Sequence, residues 1–162
     1  MPKGIDKGLL KEFKVRVYGI LKNDNQYLLS FEKYGEVAFC KFPGGGLELG
    51  ESTTDCLKRE FAEELGVEVE IRELLYTCDF VVQNRFSPSQ QVIGIYYSVV
   101  LDELALKKVN AELNDLRTQG QLELSHRQWV PQNELESALT FEMDKVAVSK
   151  LTHDISSRFT KL

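Results

Sequence analysis

Residues 43–67 read PGGGLELGESTTDCLKREFAEELGV, a glycine-rich turn that leads into a helix pattern. Ser52 is a favourable N-cap residue, and Gly66 can end the helix because glycine adopts the left-handed conformation freely. Between these ends the apolar residues recur every four positions: Leu57, Phe61 and Leu65. The stretch therefore predicts a helix from Ser52 to Gly66 that packs one apolar stripe against a core.

Three glutamates occupy the last turns of this helix, where the helix dipole disfavours acidic side chains. Glu60, Glu63 and Glu64 stand at positions i, i+3 and i+4, so they share one side of the helix. Glu64 falls angularly between Glu60 and Leu57, which places two of the acids beside the buried stripe. They could form an ordinary solvated face, or they could bind a hard divalent cation such as magnesium.

The glycines before the helix favour the second interpretation. Gly44, Gly45 and Gly46 follow a predicted strand and Pro43. Because glycine has no Cβ, the backbone there can turn tightly and come close to a ligand or a metal. A backbone carbonyl could then add one more oxygen ligand, although a glycine-rich loop can also be a plain tight turn.

Composition excludes several classes of protein. The chain has 162 residues, of which 43% are hydrophobic and 28% charged, so we predict one globular domain over residues 1–162. The net charge of −5 provides no general basic field for a nucleic-acid duplex. No apolar run is long enough to span a membrane, and no signal-peptide pattern is present at the N-terminus.

The three cysteines are Cys40, Cys56 and Cys78, an odd and scattered set. Their spacing matches neither a disulfide framework nor a zinc site. A reducing cytoplasm is therefore the expected location.

Periodicity predicts a mixture of strands and helices along the rest of the chain. Two hairpins are expected, the second joining two long apolar segments. The predicted strands cover 13–21, 26–34, 38–42, 67–83, 91–101 and 122–130. The predicted helices cover 105–120 and 142–159, with a short helical turn at 133–139.

From Gly45 to Val67 the sequence resembles the Nudix box, G-x5-E-x7-R-E-U-x-E-E-x-G-U, in which U is a bulky aliphatic residue. Every fixed position is filled: Gly45, Glu51, Arg59, Glu60, Glu63, Glu64 and Gly66. Phe61 is a mild departure at the first U, and Val67 fits the last. The resemblance implies an α/β (α+β) Nudix fold, an α/β/α sandwich with a central mixed β-sheet and the box as a loop–helix–loop.

The resemblance also implies an activity. Nudix hydrolases cleave a phosphoanhydride in a nucleoside diphosphate linked to another moiety, such as a nucleoside triphosphate or a nucleoside diphosphate sugar. The residues that would bind Mg²⁺, or Mn²⁺ in its place, are Gly45, Glu60, Glu63 and Glu64. Arg59 would orient a catalytic carboxylate, and Glu51 would support it. The general base stays open between the box glutamates and the later Glu123, which could instead be a solvent-facing strand residue.

Substrate contacts are expected outside the box. Arg85 could meet a phosphate, and Phe86 or Tyr97 could stack on a base, although each could also be an ordinary loop or sheet residue. His126 could take part in acid–base chemistry but is more often structural. The segment 102–121 could cover a pocket or form a homodimer contact, and the sequence does not decide between them.

A second class of function stays open. The chain could be a Nudix-fold module that senses or binds a nucleotide metabolite with little turnover. The intact box favours the enzyme, because a pure sensor could lose Glu60 or Glu64 and keep the fold. An isoprenoid isomerase on the same fold would need a catalytic cysteine, and none is clearly placed.

Overall fold

A computed structural model describes residues 4–118 and 125–158. Eight strands are formed in the described part of the chain: Glu12–Asn23 (β1), Gln26–Tyr34 (β2), Val37–Lys41 (β3), Gly44–Gly46 (β4), Glu70–Thr77 (β5), Val82–Gln83 (β6), Gln90–Val100 (β7) and Ser125–Pro131 (β8). The α-helices are Thr53–Leu65 (α1), Glu103–Thr118 (α2), Leu135–Ala138 (α3) and Glu142–Arg158 (α4). Short 3-10 helices lie at Lys7–Leu9 and Gln132–Glu134.

Strand β1 organises a mixed sheet. It pairs in parallel with β7, from Glu12 opposite Gln90 onward, and antiparallel with β4 on its other side. The end of β1 turns back into β2, which pairs antiparallel with both β3 and β8. Strands β5 and β6 pair antiparallel with β7. The predicted mixed sheet is therefore confirmed, with one parallel pair at its centre.

The sheet has a hydrophobic core on each face, because side chains alternate along each strand. In β1, Val17 and Leu21 point to one face while Tyr18 and Ile20 point to the other. The core that contains Val17 packs against α1 and α2 through residues such as Leu57, Phe61, Val109 and Leu113. The core that contains Tyr18 packs against α3 and α4 through residues such as Leu135, Met143, Ala147 and Leu151. This arrangement is the predicted α/β/α sandwich.

Two predicted elements differ from the structure. The sequence predicts one strand over 67–83, but the chain forms β5 and β6 with a break between them. At that break the Tyr76 hydroxyl donates a 2.7 Å hydrogen bond to Asp79, and the β5–β7 register already shifts twice. The second difference is the glycine-rich turn, which forms β4 and extends the sheet beside β1.

Candidate active site

Helix α1 begins and ends where its sequence predicts. The Ser52 hydroxyl accepts a hydrogen bond from the Asp55 amide at 3.1 Å, and Gly66 ends the helix with φ 61°. The buried stripe holds the helix against the sheet, and the three glutamates differ in how far they are exposed beside it. The side chain of Glu60 is 13% exposed, that of Glu64 22% and that of Glu63 60%. The two acids predicted to border the core are therefore the two less exposed ones.

Arg59 joins the acids to the glycine strand. Its guanidinium donates to both carboxylate oxygens of Glu51, at 3.0 and 2.7 Å, and to Glu60 at 2.9 Å. It also donates to the Gly46 carbonyl at 3.0 Å and, more weakly, to Glu63 at 3.4 Å. Hydrogen bonds from Arg59 are the main reason that the pKa of Glu51 falls to about 2. The bidentate bond fixes Arg59 in one orientation, and Arg59 in turn orients the Glu60 carboxylate.

Gly45 touches the Glu60 carboxylate directly. It lies in β4, which pairs with Val17 of β1, so the strand is held by the sheet and not only by its own turn. A Cβ placed on Gly45 would overlap the carboxylate oxygens of Glu60. The missing Cβ therefore makes the room that this carboxylate occupies.

Glu64 has the least satisfied carboxylate of the group. Its Oε2 is buried and accepts no hydrogen bond in the described part of the chain, and the nearest cation, Arg127, lies 3.7 Å away. Burial raises the pKa of Glu64, although Lys41 and Arg127 oppose this effect. A buried carboxylate oxygen without a partner is costly, so a bound cation would stabilise this side chain.

The oxygen atoms of these glutamates and glycines are chemically suited to a hard divalent cation, but their positions do not form a complete set of metal ligands. Carboxylate and carbonyl oxygens are the ligands that magnesium prefers, and the Oε2 of Glu64, which accepts no hydrogen bond in the described chain, offers one. Within residues 4–118 and 125–158, however, no three acidic, histidine or cysteine side chains converge closely enough to hold an ion. Arg59 engages Glu51, Glu60 and Glu63 instead.

A cavity of about 380 Å³ is lined in part by Lys41, one of the two cations that oppose the rise in the pKa of Glu64. Its rim is aromatic, with Phe86 packed on Tyr34 and Phe39 at ring-centre distances of 4.9 and 5.2 Å. Its floor is charged and carries three side chains that the sequence did not single out: Arg16, Glu32 and Lys41. Lys41 is buried, forms a 2.9 Å ion pair with Glu32 and donates to the Gly44 carbonyl at 3.0 Å. The same cavity is therefore bounded by aromatic rings and by the strand that precedes the glycines.

Comparison with known proteins agrees with this geometry. The family profile described as NUDIX domain matches residues 12–150, which include all eight strands of the described residues and the whole glutamate helix. The chain belongs to the Nudix hydrolase family. The family generally contains pyrophosphohydrolases that use divalent metals, and it suggests a small nucleotide as substrate.

Solved structures share the Nudix fold with this chain at low sequence identity. A mutT/nudix family protein from Listeria innocua is 18% identical with a TM-score of 0.66, over 90% of this chain and 96% of the other. The MutT protein from Methanosarcina mazei Go1 is 16% identical with a TM-score of 0.64, over 91% and 98%. The E. coli ORF135 protein is 17% identical with a TM-score of 0.63, over 95% and 98%.

The predicted substrate residues fall in two places in this Nudix domain. Arg85 and Phe86 both line the 380 Å³ cavity. Their loop is stabilised by the Asn84 side chain, which accepts a 2.9 Å hydrogen bond from the Phe86 amide. Tyr97 points to the other face of the sheet, where its hydroxyl bonds the Thr53 hydroxyl at 2.8 Å. It lines a separate, open hollow of about 950 Å³ between α1 and β5.

The structure gives less support to the two candidate site residues that follow in the sequence, Glu123 and His126. Glu123 lies outside the described residues, so its role stays a prediction. His126 stacks on Phe31, with ring centres 5.0 Å apart, and burial lowers its pKa. Both observations describe a histidine that packs in its neutral form.

Sequence reasoning missed the charged floor of the Nudix cavity, although a signal was present. Lys41 is the one charged residue in the otherwise apolar segment 37–42, which ends at Pro43. Arg16 alternates with the apolar residues of β1. A charged residue at a core-facing strand position needs a partner or a function.

In the described part of the chain, no helix is long and apolar enough to cross a membrane.

Proposed function

We propose that this chain hydrolyses a phosphoanhydride bond in a nucleoside diphosphate linked to another moiety, and that it needs a divalent metal. The observation that carries the proposal is the buried Oε2 of Glu64, which accepts no hydrogen bond in the described chain and lies near Lys41, a residue that lines the cavity with the aromatic rim. Such a cavity suits a base, and the carboxylates of the helix suit a metal that also binds the phosphates of the substrate.

The proposed metal ligands are the side chains of Glu60, Glu63 and Glu64 and the carbonyl of Gly45, with Mg²⁺ as the ion and Mn²⁺ as a substitute. When bound, the metal would neutralise phosphate charge and lower the pKa of an attacking water. Glu60 and Glu64 offer the less exposed carboxylates, whereas Glu63 lies at the solvent side.

The chain's own residues hold the reacting groups in place. Arg59 orients Glu60 through one hydrogen bond and is itself held by Glu51 through two. Glu51 therefore acts on Glu60 indirectly, through Arg59. The proton of the attacking water passes to a carboxylate, for which the candidates are Glu60, Glu63 and Glu123.

The aromatic rim is proposed to receive the base. Phe86 and Phe39 offer ring faces at the cavity mouth, and Arg85 on the same loop can meet charge on the substrate. Tyr97 has no part in this proposal, because it lines the other hollow and bonds Thr53.

The test combines a substrate panel with one substitution. Release of phosphate and pyrophosphate is measured with Mg²⁺, with Mn²⁺ and with a chelator, on nucleoside triphosphates, dinucleoside polyphosphates and nucleoside diphosphate sugars. We expect metal-dependent turnover of at least one class. Glu64→Gln should abolish it without loss of folding, because the neutral amide removes a buried charge.

The matched control is Glu68→Gln, which removes an exposed acid just after the helix and should leave turnover unchanged. Full activity in Glu64→Gln would contradict the site assignment. Nucleotide binding without turnover of any substrate would favour the alternative, a Nudix module that senses a metabolite.

A further inference from the structure

Two cations lie in line along β1 on the cavity side of the sheet. Lys14, Arg16 and Tyr18 alternate along the strand, so all three side chains point to the same face. Arg16 and Tyr18 line the cavity, and Lys14 continues the line toward the start of the strand. There Lys14 reaches the glycine strand, since a Cβ placed on Gly46 would lie 3.1 Å from its Nζ. The line therefore runs from the cavity floor to the residue that accepts a bond from Arg59.

Neither residue forms an ion pair with a described carboxylate, although Glu32 and Glu60 lie close enough to raise the pKa of Arg16. Lys41 pairs with Glu32, and Arg59 is occupied by Glu51 and Glu60. In contrast, no ion pair or hydrogen bond is formed by the Lys14 ammonium with any described residue. Arg16 uses only its Nε, which donates to the Tyr18 hydroxyl at 2.8 Å, so its terminal nitrogens remain available.

Arg16 is held in a fixed orientation. Its partner Tyr18 is buried and stacks on Tyr96 with ring centres 5.1 Å apart. The Tyr96 hydroxyl in turn donates to Asp144 of α4 at 2.6 Å. A guanidinium supported in this way can bind an anion with little further loss of side-chain freedom.

We infer that Lys14 and Arg16 form an anion subsite that selects substrates in which the moiety beyond the diphosphate is itself negatively charged. This inference rests on the proposed function and deepens it, because it chooses nucleoside triphosphates or other polyphosphates over nucleoside diphosphate sugars. A further phosphate would accept hydrogen bonds from the Lys14 ammonium and from the terminal nitrogens of Arg16, whereas an uncharged sugar offers no charge to either.

The decisive quantity is the ratio of kcat/KM for a nucleoside triphosphate to kcat/KM for the corresponding nucleoside diphosphate sugar. In the unmodified protein this ratio should be well above one and should fall as salt is raised, because exposed charges are screened. Lys14→Gln should lower the ratio about tenfold, mainly through KM for the triphosphate, as expected for one lost charge-assisted contact. Lys14→Arg should restore it.

The matched control is Lys22→Gln, which removes a lysine from the same face and the far end of the same strand. It should leave the ratio unchanged. A preference of the unmodified protein for the sugar, or an equal effect of Lys14→Gln on both substrates, would overturn the inference while leaving the hydrolase proposal intact.

A binding measurement separates the two proposals if no substrate is turned over. Calorimetric titration with an α,β-methylene nucleoside triphosphate and with the nucleoside diphosphate sugar, both with Mg²⁺, compares affinities without catalysis. Tighter binding of the triphosphate that weakens in Lys14→Gln supports the subsite even in a protein that only binds. Equal affinities, or an affinity difference that Lys14→Gln does not change, reject it.

Discussion

The Cα of Gly45 faces the Glu60 carboxylate with no space for a further carbon. Gly45→Ala should therefore push Glu60 away from Arg59, reduce turnover at least tenfold, and cost about 1–3 kcal/mol of unfolding free energy through overpacking. Metal-dependent turnover and urea unfolding of the purified variant measure the two effects.

Gly46→Ala is the control for Gly45→Ala. A Cβ at Gly46 meets only the flexible end of Lys14, at 3.1 Å, so the side chain can move aside. The variant should keep most of the stability and turnover on an uncharged-sugar substrate. Equal losses in the two variants would mean that β4 tolerates no alanine anywhere, and that the contact with Glu60 is not special.

At the scale of elements, α1 sets where the acids lie, and its N-cap sets where α1 begins. Ser52→Ala removes the acceptor for the Asp55 amide, so the unfolding free energy should fall by about 1 kcal/mol. Ser149→Ala removes a hydroxyl that donates to the Val146 carbonyl of the same helix at 2.8 Å, and it should change the unfolding free energy by less than about 0.5 kcal/mol, because such bonds within a helix stabilise it little and alanine is the better helix former. Urea unfolding of both variants compares the two serines, and equal effects would contradict the capping role.

The sequence predicts α1 well because every signal for it is local. Its cap, its stripe and its final glycine lie within fifteen residues, and the structure confirms all three. Helix α2 is also confirmed, since Val109 and Leu113 of its thin stripe are buried. Strand β4 is different, because three glycines carry no side-chain pattern and become a strand only by pairing with a distant β1.

The site is predictable to the extent that it lies in one element. The glutamates, Arg59 and Gly45 come from a single stretch, and the structure brings them together. The cavity is assembled from five strands (β1, β2, β3, β6 and β7), from the loop at 84–87 and from the start of α4, so it depends on strand register and on helix packing. Tyr97 illustrates the difficulty: one position along β7 separates it from Tyr96 and sends it to the opposite face.

At the scale of the whole molecule, Asp144 links α4 to the centre of the sheet. It is fully buried, accepts a hydrogen bond from Tyr96, and leaves Oδ2 without a partner in the described chain. Burial raises its pKa from 3.8 to about 7, although Tyr96, Lys41 and Arg16 oppose that shift. The folded protein therefore holds a proton here that the unfolded chain releases at lower pH.

The expected consequence is a fold that loses stability as pH rises. Between pH 3.8 and about 7 the folded state binds more protons than the unfolded state, so the contribution of Asp144 is complete below this window and absent above it. The unfolding free energy attributable to this group should be roughly 3 kcal/mol higher at pH 5 than at pH 8. Urea unfolding at both pH values should show Asp144→Asn to be correspondingly less sensitive to pH.

Asp79→Asn is the matched control, because Asp79 also accepts a hydrogen bond from a tyrosine, at 2.7 Å. That bond lowers its pKa, so Asp79 stays charged throughout the range from pH 5 to 8. Its removal should leave the pH slope unchanged. The same slope in the unmodified protein and in Asp144→Asn would show that the buried proton is not held at Asp144.

The parallel pairing of β1 with β7 also has a consequence for how the molecule is made. Glu12 pairs with Gln90, so β1, which packs beside the glutamate helix, can complete its pairing only after β7 has been synthesised. During synthesis, the segment that forms α1 leaves the ribosome before β7, the longest partner of β1, has been made. Contacts so distant in sequence slow folding, and the 13 residues of α1 are too few to form a stable helix without the sheet, so the glutamates should become ordered only after β7 has been synthesised.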